Sequence, residues 1–338
     1  MGVGTGRLVV VTVGVVALAS VFRPTAFQAQ FRPGRTPGDT IDLPSWLFPL
    51  PSPSPDRAWD TLTPIRVPRS RVALTENQLH DLFYVPDWLP QLHPAMPAIV
   101  ARGRKPDVYA CGFCHLADGQ GRPENAMIAG LPVAYIVQQL ADMKAHRRRG
   151  AHTGAYAPND NMQRVAENAT DAEVAVAAAY FAALRPHRRV RVVEASRVPR
   201  MTSAMGTFRY ASGRETESLD GRLMEVPADF TRHEHRDPSV EYIAYVPVGS
   251  VARGRALASS PVASGLLSCT GCHGPQLKGL GLIPPLAGRS PGYLVRQLIG
   301  FKTGARASAA GGAMGPVATA LSLPDLIAVA AYAATLRP

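Results

Sequence analysis

The chain has 338 residues, 46% of them hydrophobic, so it can bury two cores of ordinary domain size. Its formal net charge is +11, and of 36 basic residues only Lys105, Lys144, Lys278 and Lys302 are lysine. Such a balance favours an acidic partner or an anionic membrane surface, and suits a solvated basic face equally well. It argues against nucleic acid, because the arginines are scattered and the tight runs 144–152 and 185–192 have no aromatic platform between them.

At the N-terminus, Arg7 precedes a 15-residue apolar run, "LVVVTVGVVALASVF" (8–22), with Ala17-Leu18-Ala19 as a small-residue cleavage candidate. Residues 1–29 are therefore expected to be a signal peptide or an N-terminal anchor, and the rest of the chain is expected to be exported to the periplasm. Exported chains usually place cysteines in disulfides, yet all four cysteines here sit in two short motifs. Residues 30–95 read as an extended proline-rich arm, with one short helix in 73–83 capped by Thr75 and Gln78.

From residue 96 onward the chain repeats itself. "CGFCH" (111–115) returns as "CTGCH" (269–273), and each histidine stands fifteen residues before a glycine, Gly130 and Gly288. "AYIVQQL" (134–140) then matches "GYLVRQL" (292–298), which pairs Tyr135 with Tyr293 and Gln139 with Gln297. After a gap six residues longer in the first copy, Met162 matches Met314, each 24 residues before the end of "AYFAALRP" or "AYAATLRP". These spacings predict two copies of one helical domain, 96–186 and 249–338, separated by an insert (187–248) with brief β-like runs and no identifiable chemistry. Thr170 with Glu173, and Ser322 with Asp325, open the last helix of each copy as capping boxes. Gly103 and Gly254, in the repeated "VARGR", are expected to let the first helix of each copy approach the last near Tyr180 and Tyr332.

On one turn of helix, cysteines at i and i+3 project to one side with the histidine at i+4 beside them. Two thiols so placed can form thioethers to one porphyrin, and the histidine can then reach its iron. The expectation is two covalently attached haem c groups, one on Cys111, Cys114 and His115 and one on Cys269, Cys272 and His273. A four-cysteine zinc site would require the motifs to converge and would leave both histidines idle. A thioredoxin-like dithiol lacks its strand and βαβ context. Met162 and Met314, matched in frame, are the expected sixth ligands; Met143, His146 and His152 are the alternatives in the first copy. Pro285, twelve after His273, is expected to accept the proton of the other imidazole nitrogen, with Met127 in that position in the first copy. Gly119 and Gly121, like Gly279 and Gly281, are expected to permit turns beside the site.

The motifs "CGFCH…GQG…IAGLP.AYIVQQL…M…AAAYFAAL" and "CTGCHG…GLG..PPLAGRSPGYLVRQL…M…AAYAATL" resemble the tandem dihaem class I cytochromes c of bacteria. The likeness covers a little over half the chain. It implies a mainly α fold of two class I cytochrome c domains, histidine and methionine ligation, and electron transfer in the periplasm. The redox partners would be a dehydrogenase or quinol-oxidising complex as donor and a terminal oxidase or reductase as acceptor, with acidic docking surfaces. The alternatives are a dihaem peroxidase-type enzyme, which needs one open iron, and a membrane-anchored subunit of a larger respiratory complex. Met127 in place of a proline, the six extra residues before Met162, the arm and the insert depart from the family pattern.

Overall fold

The apolar face of each helix in the repeat is built mostly from alanine, valine and leucine, and helices of this kind are stable only against one another. A computed structural model describes residues 1–2, 43–51, 60–152 and 154–338. The segment 8–22, read as a signal or anchor, lies outside the described residues. All the described helices and strands belong to one unit, Asp42–Pro338.

The arm supplies α1 (Glu76–His80), whose capping box is the expected one, with Thr75 and Gln78 bonded reciprocally. The first copy contains α2 (Ala98–Ala101), α3 (Cys111–His115), α4 (Val133–Lys144), α5 (Ala157–Asn168) and α6 (Asp171–Ala182). Its core joins Val100 and Val108 to Ile136, Val174, Ala178 and Phe181. The second copy contains α8 (Ser250–Ser259), α9 (Cys269–His273), α10 (Pro291–Lys302), α11 (Met314–Ala320) and α12 (Leu323–Thr335), around Val295, Leu326, Ile327 and Ala330. Thr170 caps α6 and Ser322 caps α12 through the predicted boxes.

The two "VARGR" segments behave differently. Gly254 lies inside α8, where a Cβ would collide with the backbone of Ala328 on α12 and stand 2.9 Å from Cβ of Tyr332. That is the expected close helix crossing. Gly103 instead follows the end of α2 with φ +60°, and a Cβ there would strike the backbone of 108–110. Its glycine is required by a turn, not by contact with Tyr180.

The β-like runs of the insert form one three-stranded sheet and two strand pairs. β1 (Val190–Glu194) pairs in parallel with β7 (Tyr242–Val246), and β6 (Met224–Pro227) completes the sheet on the other side of β7, antiparallel. Two small antiparallel pairs, β2 (Arg197–Pro199) with β5 (Thr216–Ser218) and β3 (Met201–Ala204) with β4 (Thr207–Tyr210), and the helix α7 (Phe230–Glu234), fill the connection. A parallel pair needs a long crossover, which explains why a chain of this length separates β1 from β7.

The loops after the two motifs superimpose in hydrogen bonding. Gly121 N–H donates to His115 O (2.9 Å) as Gly279 N–H does to His273 O (2.7 Å). Single antiparallel bridges join Arg122 to Asn125 and Leu280 to Ile283. Gly119 O accepts from Ile128 and Ala129, while Leu277 O accepts from Leu286 and Ala287. The structure thus matches Gly121 with Gly279 and Gly119 with Leu277, two residues from the glycine pairing suggested by composition. All four glycines do have positive φ, and Leu277 holds φ 57° where its counterpart is a glycine.

Candidate functional site

In α3 and α9 the short helix brings two cysteines and a histidine onto one turn, with Ser268 capping the second by accepting from Gly271 N–H. All four thiols are free. Burial pushes Cys111 up to about 12 and raises Cys114 and Cys269 as well. Thiols so disposed are poor candidates for a reactive dithiol, which needs a depressed pKa. Among the described residues, no group of three or more His, Cys, Asp or Glu is placed to hold a metal ion, so the four cysteines do not converge as a zinc site would require.

Each histidine is aimed by a backbone carbonyl. His115 Nδ1 lies 2.8 Å from Ala126 O, and His273 Nδ1 lies 2.8 Å from Pro284 O. The acceptor is eleven residues after the histidine in both copies, one earlier than Met127 and Pro285, which the sequence suggested. Burial lowers the pKa of both imidazoles and so favours their neutral form. A neutral imidazole whose Nδ1–H is committed to a carbonyl presents Nε2 as a lone-pair donor, the arrangement an iron ligand requires. The donor set therefore fits haem c.

Between the two copies lies a half-buried cationic cluster. Arg148 donates to Gln139 Oε1 (3.0 Å), Tyr293 Oη (3.1 Å) and Gln297 Oε1 (3.1 Å); Arg306 donates to Gln297 Oε1 (3.2 Å) and Gln139 Oε1 (2.8 Å). The backbone repeats this exchange, Arg149 N–H bonding Ala305 O and Ala307 N–H bonding Arg147 O, both at 2.8 Å. The matched pairs Gln139/Gln297 and Arg148/Arg306 thus face each other about a local twofold axis. Arg289 adds a third guanidinium, which is buried. Among the described residues none of the three has a carboxylate as hydrogen-bond partner.

Met162 lies half-buried within α5, and Met314 is the half-buried first residue of α11. The histidine alternatives are engaged elsewhere. His146 is exposed, with Gln163 and Glu167 as neighbours (3.2 and 3.6 Å). His152 Nδ1 lies 2.8 Å from Gly154 O, and its ring packs against Phe48 and Tyr156.

The insert contributes what the sequence reading missed. Arg236 donates to Phe113 O (3.0 Å) inside the first motif and to Leu79 O (3.1 Å) in the arm, with its guanidinium 3.5 Å from the centre of the Phe113 ring. Arg122 donates to His233 O (3.0 Å), and Trp88 of the arm donates to His235 O (2.7 Å). Arm and insert thereby cover the outer side of α3, where Phe113 is 3% exposed. Among the described residues the second motif has no such cover: Gly271 is exposed, and so are Leu267, Leu280 and Leu282 at 67%, 61% and 65%.

No protein-family profile matches the chain. It is 25% identical over 244 residues to cytochrome c4 of Azotobacter vinelandii, a match covering 71% of this chain and 89% of the relative. With the thiosulfate dehydrogenase electron acceptor of Stutzerimonas stutzeri (strain A1501) it shares 28% over 237 residues, covering 69% and 82%. Cytochrome c-554(547) of Halothiobacillus neapolitanus is 38% identical over 78 residues, 21% of this chain and 86% of that one. Among solved structures, reduced cytochrome c4 from Pseudomonas stutzeri has 25% identity, coverage of 67% and 93%, and a TM-score of 0.43. The chain belongs to the c-type cytochromes, and over 71% of its length it is homologous to cytochrome c4, a tandem dihaem class I cytochrome. Its homology supports electron transfer between redox partners in the periplasm, and haem c is the cofactor of its family.

Proposed function

We propose that each copy, 96–186 and 249–338, holds one haem c. Cys111 and Cys114 would carry the thioethers and His115 one axial position in the first copy; Cys269, Cys272 and His273 would do so in the second. Met162 and Met314 would supply the second protein ligand to each iron. Bound there, the haem supplies a one-electron iron couple. The observation that carries the reading is the pair of neutral imidazoles, each tethered through Nδ1 at 2.8 Å to the equivalent carbonyl and flanked by free thiols. The carboxylate-free guanidiniums of Arg148, Arg289 and Arg306 suit a cofactor that brings its own carboxylates.

The finer partner reading is an acidic redox protein that docks on the second copy. Residues 122–125 and 280–283 form the same hairpin, yet Arg122 and Glu124 are drawn under the insert while Leu280 and Leu282 are exposed. In 249–338 the only carboxylate side chain is Asp325, which pairs with Arg253, against eight basic residues. An apolar centre in an acid-free surround suits an acidic partner with a dry contact. Among the described residues no single helix is long and apolar enough to cross a membrane; α11 and α12 together are bent by 116°, and α12 is core.

The deciding experiment is haem staining of the denatured polypeptide with quantification of iron. Two haems per chain are expected, and replacing Cys269 and Cys272 together should remove half of the stain. Loss of all of it or of none sinks the assignment of one haem per motif.

A further inference from the structure

Arg289 follows Gly288 in the second copy; the matched position in the first copy is Leu131. Its side chain is buried, so five N–H donors and a charge must be satisfied away from water. Nε donates to Pro285 O (2.6 Å), and Nη1 makes a short bond to Met127 O, across the boundary between the copies. These two carbonyls have a special place. Pro285 follows Pro284, whose carbonyl holds His273, and Met127 follows Ala126, whose carbonyl holds His115. One guanidinium therefore grips both histidine-holding loops, each one peptide from the imidazole contact. The Arg148–Arg306 pair also joins the copies, but through α4, α10 and the loops after them.

We infer that Arg289 is a positioning residue for both redox sites, setting the reduction equilibrium of each and tying the two histidine loops into one body; this rests on the two-haem reading. A cation buried beside a site disfavours the more positive, oxidised state. Because Arg289 reaches both loops, its charge acts on both sites, although its own sequence belongs to the second copy alone. A residue serving only its own domain would affect one site.

The test is a redox titration of the full haem-loaded chain, followed by visible absorption and fitted as two one-electron components. Arg289→Gln is expected to lower both components, each by about a tenfold change in its reduction equilibrium, which is about 59 mV. Arg289→Leu, which places the first copy's own residue there, provides the same reading if the glutamine variant does not fold. Arg289→Lys keeps the charge and should restore both components to within threefold of wild type. A shift in one component only, or in neither, overturns the inference, and so does a lysine variant as low as the glutamine one. Haem content measured alongside separates the two readings: a wild-type chain without two haems fails the proposed function, whereas a two-haem chain with unmoved components fails only the role of Arg289.

Discussion

Glu225 on β6 is buried at 3% exposure where the insert meets the second copy. Its Oε2 accepts from Ser290 Oγ (2.7 Å) and Gly292 N–H (3.2 Å), while Oε1 has no hydrogen-bond partner among the described residues. Burial dominates and pushes its pKa up to about 7, against the opposing pull of Ser290, Arg296 and Gly292, with Glu124 adding to the rise. The folded protein thus keeps a proton on Glu225 that the unfolded chain releases near pH 4.5. Between pH 4.5 and 7 the folded state binds more protons, so stability falls as pH rises and the loss is complete above about pH 7. The shift corresponds to about 3 kcal/mol, an upper figure for a carboxyl in this setting. Glu225→Gln keeps an acceptor for Ser290 and Gly292 and removes the ionisation. In denaturant unfolding of wild type and variant at pH 5 and pH 8, the wild type should lose about 3 kcal/mol more between the two than the variant does. Parallel pH dependences in the two proteins would refute the account, because every other titrating group is common to both.

Met314→Ala should lower the reduction equilibrium of one couple by more than about tenfold, or 59 mV, and let the reduced protein bind carbon monoxide quickly, since nothing soft replaces the thioether. Met162→Ala should do the same to the other couple; an unchanged titration and spectrum would move the ligand to Met143, His146 or His152. Leu280→Asp with Leu282→Asp, both on exposed positions, should change stability by less than about 1 kcal/mol and slow stopped-flow electron transfer from an acidic flavodoxin about tenfold. Val176→Asp, exposed on α6 of the first copy, should leave that rate unchanged, and raising the ionic strength should slow the wild type. Equal rates for all three proteins would remove the second copy as the docking side.

The frame of the repeat was legible because its markers are residues whose chemistry or backbone admits few substitutes: the C-x-x-C-H cysteines and histidines, Gly130 and Gly288, the capping pairs Thr170/Glu173 and Ser322/Asp325. Local rules suffice for these. The carbonyl that aims each histidine was misplaced by one residue because a carbonyl leaves no mark in the sequence; Ala126 and Pro284 share a backbone position and nothing else. Matching glycines by type failed for a related reason. Leu277 adopts φ 57° beside the site, a conformation that costs leucine about 1 kcal/mol or more, so the surrounding loop imposes it and composition does not announce it. Least legible was the insert. Arg236 reaches Leu79 and Phe113 across 157 and 123 residues, and no periodicity or spacing encodes such a contact.

A chain that contains the same domain twice supplies its own control. Where matched residues agree, as at Gln139 and Gln297 or Arg148 and Arg306, the requirement is that of the domain. Where they differ on an unchanged backbone, the cause must lie in what touches that position. Arg122 and Leu280 occupy the same bridge position; the first donates to His233 O under the insert, and the second is left to solvent as an apolar side chain. Glu124 pairs with Arg122 at 2.6 Å, whereas its counterpart Leu282 pairs with nothing charged. Leu131 and Arg289 continue the series, as do Gln138 and Arg296, since both guanidiniums added in the second copy reach back to the first, Arg289 to Met127 O and Arg296 to Pro123 O. An exposed leucine alone means little on any protein surface. Two of them on a hairpin whose twin is polar and covered are the ground on which the docking face is proposed.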